Sequence, residues 1–207
     1  MKKLHKSDIK YYLQEGHLTK SFLDDTYVLD KVLLDYDNKV GNNPTYTKIE
    51  SLYNWIHKYI KSTSDDELKR KLKFQRTAQE IWESGFVTGC TDWATIFATL
   101  ARQIGIPTTL LHTAEYDWVK RLKNNENQSI NKGHSFCECF YEGKWILVDP
   151  TFRRIEYEYN PDKLVLNYKV SNSNVYIPYF RDLDLGKKQT MRDHNLEMNQ
   201  ECLNIEL

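Results

Sequence analysis

The chain has 207 residues, and its 29 Lys and Arg residues balance its 29 Asp and Glu residues, so the formal net charge is zero. A neutral chain lacks the positive field that attracts nucleic acid or anionic lipid, and we expect neither as a partner. Hydrophobic residues make up 40% and aromatic residues 13%, which excludes a disordered chain and suffices for one globular core. We therefore expect a single domain over residues 1–207, with a core at about 45–180 and an extension on each side.

The first part of the chain has helical periodicity. A helical piece is expected near residues 21–36, and apolar residues at helical spacing predict a second helix over residues 45–61. Thr77 and Glu80 have the spacing of a capping box, which predicts the start of a short helix that ends at Gly85.

The broadest apolar face belongs to a helix predicted over residues 90–104, and a face of that width predicts a central, largely buried helix. Beyond Pro107 the period changes to that of strands, which are rich in β-branched and aromatic residues. Strands are predicted at residues 108–113, 116–122, 134–141, 145–149, 152–159, 163–170 and 175–180, with a polar loop at 123–132 and a last helix near 187–202. Helices followed by an antiparallel sheet indicate the α+β class.

The composition also bears on location and on bound groups. The amino end has no apolar stretch long enough for a secretory signal, and no run of 18 apolar residues occurs, so we expect a cytoplasmic protein. Four cysteines are too few for a disulfide scaffold, and a reducing compartment would keep them as thiols. Without a Cys-x-x-Cys pair or closely spaced histidines, a structural metal site is not expected, and no cofactor is indicated.

Cys90 is the first candidate functional residue, because it opens the predicted central helix directly after Gly89. The start of a helix carries unpaired N–H groups and a partial positive charge, which favour an ionised thiol. The same N–H groups can stabilise negative charge on a carbonyl oxygen beside the sulfur. A lone cysteine at the start of an apolar helix is more often a packing residue, so the assignment depends on what lies elsewhere in the chain.

Two further candidates lie on neighbouring predicted strands. His134 is near the start of one strand, and Asp149 ends the next one, after a hairpin at residues 142–144. In adjacent antiparallel strands these two ends lie side by side, so Asp149 can accept a hydrogen bond from the imidazole and fix its tautomer. His134 can then act as a base toward Cys90 and as an acid toward a leaving group. The sequence therefore predicts a triad of Cys90, His134 and Asp149.

Four segments together resemble the transglutaminase-like superfamily. They read GCTDWA at 89–94, LARQIGIP at 100–107, GHSF at 133–136 and GKWILVDPT at 143–151. The resemblance implies an α+β variant of the papain-like fold and a cysteine enzyme that acts on a protein or peptide substrate. It also implies acyl transfer to an amine, or hydrolysis, of peptide or carboxamide bonds through a thioester on Cys90. The family includes transglutaminases, peptidases, deamidases and peptide N-glycanases. Because the chain lacks the zinc-binding Cys pairs usual in the N-glycanases, that option is less favoured.

Several points stay open at this stage. The alternative to an enzyme is a non-catalytic module that retains the fold to bind protein or peptide; a structural or oligomerisation domain is a third interpretation. The choice between hydrolysis and transamidation, the substrate and the oligomeric state do not follow from the sequence. Gln79 and Trp82 are available as a second oxyanion donor, but neither stands at a convincing spacing, and that donor is unassigned.

The remaining reactive or charged residues are given structural interpretations. Cys137 and Cys139 are expected to pack in the core and Cys202 to be an exposed or helix-packed thiol, while Asp92 is expected to act as a favourable charge or cap at the helix start. A structural role is expected for His57, on a helix, and for His112, at the end of a strand. The surface is the expected location of His5, His17 and His194. Lys69, Arg70, Lys71, Lys73 and Arg76 are expected to form a solvated helix face. Tyr157, Tyr159 and Tyr179 are candidates for lining a substrate groove.

Overall fold

Helices and an antiparallel sheet share the chain in the computed structural model, which describes residues 4, 8–126, 131–163, 165–170 and 173–206. The helices are α1 (Asp25–Val40), α2 (Lys48–Tyr59), α3 (Asp66–Leu72), α4 (Ala78–Ser84), α5 (Cys90–Gln103), α6 (Tyr116–Lys123) and α7 (Met191–Leu203). The strands are β1 (Lys61–Ser62), β2 (Phe86–Val87), β3 (Thr108–Glu115), β4 (Gly133–Tyr141), β5 (Lys144–Asp149), β6 (Arg154–Glu156), β7 (Leu166–Val170) and β8 (Ser173–Asp182). The predicted α+β class is confirmed.

The main sheet has the strand order β6-β5-β4-β3-β8-β7, and each neighbouring pair is antiparallel. Strands β4 and β5 form the predicted hairpin, and its turn residues Glu142 and Gly143 have φ angles of 48° and 82°. Two positive φ angles in succession are what a type I′ hairpin turn requires. The hairpin brings the start of β4 beside the end of β5, where His134 and Asp149 lie.

Helix α5 packs on one face of this sheet and lies at the centre of the largest apolar cluster. Every residue of α5 from 91 to 102 is buried, and the cluster includes Leu110 from β3 together with Cys137 and Cys139 from β4. Gly105, with a φ angle of 79°, follows the helix as its C-terminal glycine. The prediction of a central buried helix that begins at Cys90 is confirmed, and it explains why the cysteine has a fixed position relative to the sheet.

Capping side chains set the other helix boundaries. The capping boxes of Thr47 with Glu50 and of Thr77 with Glu80 begin α2 and α4, and Gly85 ends α4 in the left-handed conformation. Helix α1 begins four residues later than predicted, because Asp24 accepts a hydrogen bond from the N–H of Tyr27 and caps it. Caps of this kind contribute about 1 kcal/mol each, so they decide where a helix starts.

One predicted strand is wrong: residues 116–122 form helix α6. Trp118, Val119 and Leu122 recur at helical spacing, and the first two are buried against Ile177 and Tyr179 of β8. The aromatic and β-branched residues of this segment favour a strand, but its buried residues lie on one side and recur at the spacing of a helix. The composition was therefore a weaker guide here than the spacing of the buried residues.

The other strands differ from prediction only in length. Strands β3, β4, β5 and β8 cover the segments predicted at residues 108–113, 134–141, 145–149 and 175–180. The segments predicted at 152–159 and 163–170 are shortened to β6 and β7, and residue 164 lies outside the described residues. Residues 127–130 of the predicted polar loop also lie outside them. The last helix, α7, begins at Met191 after the capping residue Thr190.

Candidate active site

A cleft of about 60 Å³ lies at the N-terminal end of α5. Its walls come from the segment after α3, the first residues of α5, strands β3, β4 and β8, and helix α7. Cys90, His134 and Ser135 all line it, so the helix mouth and the start of β4 face the same space. Two candidates from the sequence are thereby brought to one opening.

Cys90 is the first residue of α5 and a free, half-buried thiol. The first intrahelical hydrogen bond is donated by the N–H of Trp93 to the carbonyl oxygen of Gly89. The N–H groups at Cys90, Thr91 and Asp92 therefore precede the helical ladder, and the positive end of the helix dipole lies beside the sulfur. This arrangement favours a thiolate and offers the Cys90 N–H as a donor to an oxyanion.

His134 and Asp149 form a buried hydrogen-bonded pair. Nε2 of His134 lies 2.9 Å from Oδ2 of Asp149, and Asp149 has no solvent exposure. The other oxygen of Asp149 accepts hydrogen bonds from the N–H groups of Thr151 and Phe152, at 3.0 Å and 3.2 Å. Both oxygens of the carboxylate are therefore occupied, which fixes its orientation toward the ring. Because Nε2 is engaged by Asp149, Nδ1 is the ring nitrogen left for the sulfur.

Cys90 and His134 shift each other's protonation in opposite directions. Burial alone raises the pKa of the Cys90 thiol, but the hydrogen bond and the positive charge of His134 reverse this effect and lower the pKa to about 6. Burial lowers the pKa of His134, whereas its hydrogen bonds with Asp149 and Cys90 raise the pKa to about 10. The pair therefore favours a thiolate beside an imidazolium at neutral pH.

Ser135 is a further polar contact of the sulfur that the sequence reasoning did not single out. Its Oγ lies 3.7 Å from Cys90 Sγ, 3.0 Å from Thr91 Oγ1 and 3.1 Å from His112 Nδ1. A hydroxyl has one proton to donate and two lone pairs that accept. If Ser135 donates its proton to the thiolate, its oxygen can accept one hydrogen bond from the Thr91 hydroxyl and one from Nδ1–H of His112. Both lone pairs of the oxygen are then used. The hydrogen bond from Ser135 also lowers the pKa of Cys90.

His112 is more central than predicted. It lies within β3 rather than at its end, it is 2% exposed, and it is directly opposite Ser135 in the β3–β4 register. Burial and the positive groups nearby lower its pKa well below the ordinary value, so the ring is neutral. Its Nε2 atom is buried without a hydrogen-bond partner among the described residues, and the ring lines the cleft. The ring is thus in contact with the site through Ser135.

Asp92 and Arg76 fix the segment that leads into Cys90. Oδ2 of Asp92 accepts hydrogen bonds from the N–H and the hydroxyl of Thr88, both at 2.7 Å, and pairs with Nη2 of Arg76. The expectation that Asp92 is a favourable charge at the helix start holds, although it is buried rather than solvated. Placing Arg76 on a solvated face was wrong, because its side chain is buried and also contacts Ser84 and Phe86.

Lys73 likewise departs from the predicted solvated face, because its side chain lines the cleft beside Cys90. A Cβ built on Gly89 would meet only Lys73 Cε, at 3.8 Å, so the lysine lies over the residue that precedes the cysteine. Phe74, with a φ angle of 64°, turns the chain after α3, and its ring stacks on His194 at 3.7 Å. The positive charge of Lys73 also contributes to lowering the pKa of Cys90.

The other histidines differ in how well they match prediction. His57 is structural as expected: its ring stacks on Trp93 at 3.9 Å and its Nε2 lies 2.7 Å from the Pro150 carbonyl oxygen. His17 is exposed, and His5 lies outside the described residues. Placing His194 on the surface was wrong, because it is 5% exposed and hydrogen bonded to Tyr179 and Gln189.

The remaining candidates divide between the core and the cleft. Cys137, Cys139 and Cys202 are buried free thiols, the last on the inner face of α7. Tyr179 lines the cleft, whereas Tyr159 is hydrogen bonded to Glu138 elsewhere in the sheet.

The second oxyanion donor is still unassigned. Gln79 is hydrogen bonded to Glu83 on the exposed side of α4, and Trp82 packs against Trp55 and Phe22. Neither side chain lines the Cys90 cleft. Within the described part of the chain there is no group of three His, Cys, Asp or Glu side chains arranged to hold a metal ion. The same residues contain no helix long and apolar enough to cross a bilayer.

Comparison with known proteins places this site in a family. The model of the transglutaminase-like superfamily core matches residues 35–150, more than half of the chain and the part that contains Cys90, His134 and Asp149. The fold is shared with the crystal structure of a candidate cysteine protease from Cytophaga hutchinsonii, at a TM-score of 0.51 and 15% identity over 90% of this chain. This chain spans about half of that protein, since 50% of its length is covered. No curated protein matches the chain significantly. The resemblance seen in the sequence is confirmed, and the chain belongs to the transglutaminase-like superfamily.

Proposed function

We propose that the protein is a cysteine enzyme that hydrolyses or transfers the acyl group of a peptide or carboxamide bond through a thioester on Cys90. The observation that carries this proposal is the convergence of a half-buried thiol at a helix mouth with the hydrogen-bonded His134–Asp149 pair. In the proposed triad Cys90 is the nucleophile, His134 the acid and base, and Asp149 the residue that orients the ring.

In the first half-reaction the Cys90 thiolate attacks the carbonyl carbon and forms a C–S bond. The carbonyl electrons move to the oxygen, which accepts a hydrogen bond from the Cys90 N–H at the start of α5. The oxyanion then re-forms the carbonyl as the C–N bond breaks, and the imidazolium of His134 gives its Nδ1 proton to the leaving amine or ammonia. The product is a thioester and a neutral imidazole, still held by Asp149 through Nε2.

In the second half-reaction His134 takes a proton from water or from an acceptor amine as that molecule attacks the thioester. The C–S bond breaks, and the thiolate and imidazolium are restored. Water gives hydrolysis and an amine gives transamidation, so product analysis with and without an added primary amine decides between them. The expected substrate is a protein or peptide. A reducing compartment such as the cytoplasm suits an enzyme that depends on a free thiol.

Selective alkylation tests the proposal without a known substrate. Iodoacetamide at mildly acidic pH, followed by mass spectrometry of each cysteine peptide, should label Cys90 well before Cys137, Cys139 and Cys202. The reason is that Cys90 has a lowered pKa, whereas burial raises the pKa of the other three thiols.

The control for this experiment is His134→Ala, which should remove the preference for Cys90, because the thiolate then loses its cationic partner. Slow and equal labelling of all four thiols in the folded protein would favour a non-catalytic binding module instead.

A further inference from the structure

Lys73 is a cation beside the candidate nucleophile that the proposed triad does not use. It ends α3 as the capping residue, and its side chain lies over Gly89, with Cε 3.8 Å from the position a Cβ would take there. The ammonium group is 5.1 Å from the centre of the Phe74 ring. Within the part of the chain that the structure describes, no carboxylate forms an ion pair with Lys73.

The same lysine lines a second, larger space. A groove of about 330 Å³ shares Lys73 with the Cys90 cleft and is otherwise lined by Asp66, Lys69, Arg70, Thr88 and Met191. Among the described residues its one carboxylate, Asp66, is already paired with Lys69 at 2.8 Å. The charge facing the groove is therefore positive, and Lys73 lines both the groove and the cleft that contains Cys90.

Thr88 lines the groove and Cys90 lines the cleft, so Gly89 lies between the two openings along the chain. The backbone of Gly89 is extended, with a φ angle of 169°, a conformation open to any residue, so its glycine is not explained by the backbone. A Cβ at Gly89 would come into ordinary van der Waals contact with Lys73 Cε, at 3.8 Å. The N-terminal end of α5 adds a partial positive charge at the same point.

We propose that Lys73, with Arg70 behind it, binds a carboxylate of the substrate next to the bond that Cys90 attacks. The ligand class is an acidic peptide, in which the carboxylate belongs either to an Asp or Glu side chain or to the carboxyl terminus. This inference names the substrate class of the site proposed above and rests on that function. An ammonium that has no carboxylate partner among the described residues and faces a positively charged groove is suited to such a group, because the substrate completes the ion pair.

A pair of alkylating reagents tests this proposal directly. Iodoacetate and iodoacetamide attack the same thiolate, but only iodoacetate carries a carboxylate. The measured quantity is the ratio of their rate constants at Cys90, divided by the same ratio for N-acetylcysteine amide. A change in the thiol pKa alters both rates equally, so the ratio isolates carboxylate binding from thiolate activation.

We expect a ratio above one for the natural protein and a fall of about fivefold in Lys73→Met, which keeps most of the aliphatic stem. Lys73→Arg should keep the ratio and Lys73→Glu should bring it below one. Lys71→Met is the matched control, because Lys71 is exposed on the same helix and lines neither space. The positive charge of His134 also attracts iodoacetate, so the fall between the natural protein and Lys73→Met is decisive.

Peptides of one sequence then identify the source of the carboxylate by protecting Cys90 from iodoacetamide. If an amidated peptide with Glu protects Cys90 better than the amidated peptide with Gln, the carboxylate belongs to a side chain. If a peptide with a free carboxyl end protects Cys90 better than its amidated form, the carboxylate is the carboxyl terminus.

A ratio of the two alkylation rates that is equal in the natural protein, Lys73→Met and Lys73→Glu overturns the inference and leaves the proposed function intact. A Cys90 no more reactive than the buried thiols contradicts the proposed function itself.

Discussion

At the scale of single residues, the proposed chemistry requires the thiol of Cys90 to lose its proton at a lower pH than the ring of His134 does. Against the effect of burial, the hydrogen bond and charge of His134 lower the pKa of Cys90 to about 6, and the hydrogen bonds with Asp149 and Cys90 raise the pKa of His134 to about 10. Between these two pH values the pair consists of a thiolate and an imidazolium, which is the form that the proposed mechanism requires.

The pH profile of kcat/KM should therefore be bell-shaped. Activity should fall below about pH 6, where Cys90 is protonated, and above about pH 10, where His134 has lost its proton. In His134→Ala the rate of Cys90 alkylation should follow a higher pKa, because the stabilising cation is gone. An unchanged pKa for alkylation in this variant would mean that another group activates the thiol.

Asp149→Asn should reduce kcat about a hundredfold or more while leaving the fold intact. The oxygen that faces Thr151 and Phe152 accepts two N–H groups, so the asparagine carbonyl will take that position and its amide will face Nε2 of His134. This stabilises the tautomer with the proton on Nδ1, which cannot accept a proton from Cys90. Steady-state kinetics and a thermal melt check the prediction, and full activity would show that another acceptor orients the ring.

Ser135→Ala should raise the pKa of the Cys90 thiol and shift the acid limb of the alkylation profile to higher pH. The variant removes the hydroxyl 3.7 Å from the sulfur that stabilises the thiolate. Thr91→Val is the control, because it removes a contact of Ser135 and leaves the donor to sulfur in place. A profile unchanged in Ser135→Ala would mean that the hydroxyl donates to Thr91 or His112 instead of to the sulfur.

At the scale of elements, α5 begins with the proposed nucleophile Cys90, and the Arg76–Asp92 pair anchors the segment before it. Asp92→Asn should lower the free energy of unfolding by about 3 kcal/mol, because the buried charge of Arg76 is left without its partner. Asp66→Asn breaks an exposed ion pair with Lys69 and should cause no measurable loss. Urea unfolding measures the free energy of unfolding of the two variants. Equally small losses of stability in both would contradict a structural role for the buried Arg76–Asp92 pair.

Helix α7 covers the cleft with a buried neutral histidine. Burial and the charge of Lys73 lower the pKa of His194 to about 4, so the unfolded chain binds a proton more readily than the folded one. Stability should then fall as pH drops from about 6.5 to about 4, by up to about 1.4 kcal/mol per unit from this group. His194→Gln should flatten that slope without removing the contribution of His112, and an unchanged slope would contradict the assignment.

At the scale of the whole molecule, local signals in the sequence were sufficient for much of the fold. The capping box at Thr77 and the glycine after α5 are local, so the start of α4 and the end of α5 follow from a few neighbouring residues. The start of α5 at Cys90 and the hairpin that joins β4 to β5 are local in the same sense. The α+β class follows from these elements in order.

What the sequence did not predict depends on contacts between distant parts of the chain. Arg76 is buried only because Asp92 and Phe86 meet it, and Lys73 reaches the cleft because Phe74 turns the chain back toward α7. Ser135 becomes part of the site through its register opposite His112. Periodicity and short motifs give no information on contacts between distant residues. Arg76 and Lys73 were therefore interpreted as surface charges, and Ser135 as an ordinary strand residue.

The most direct test of the central claim is to trap the acyl group on Cys90. The protein is mixed with p-nitrophenyl acetate, quenched with acid within the first turnover, and analysed by intact mass and peptide mapping. We expect one acetyl group on Cys90, which hydroxylamine releases, which forms more slowly in His134→Ala and which is absent in Cys90→Ala. Release of nitrophenol by Cys90→Ala at the natural rate, or acetyl groups spread equally over the four cysteines, would contradict it.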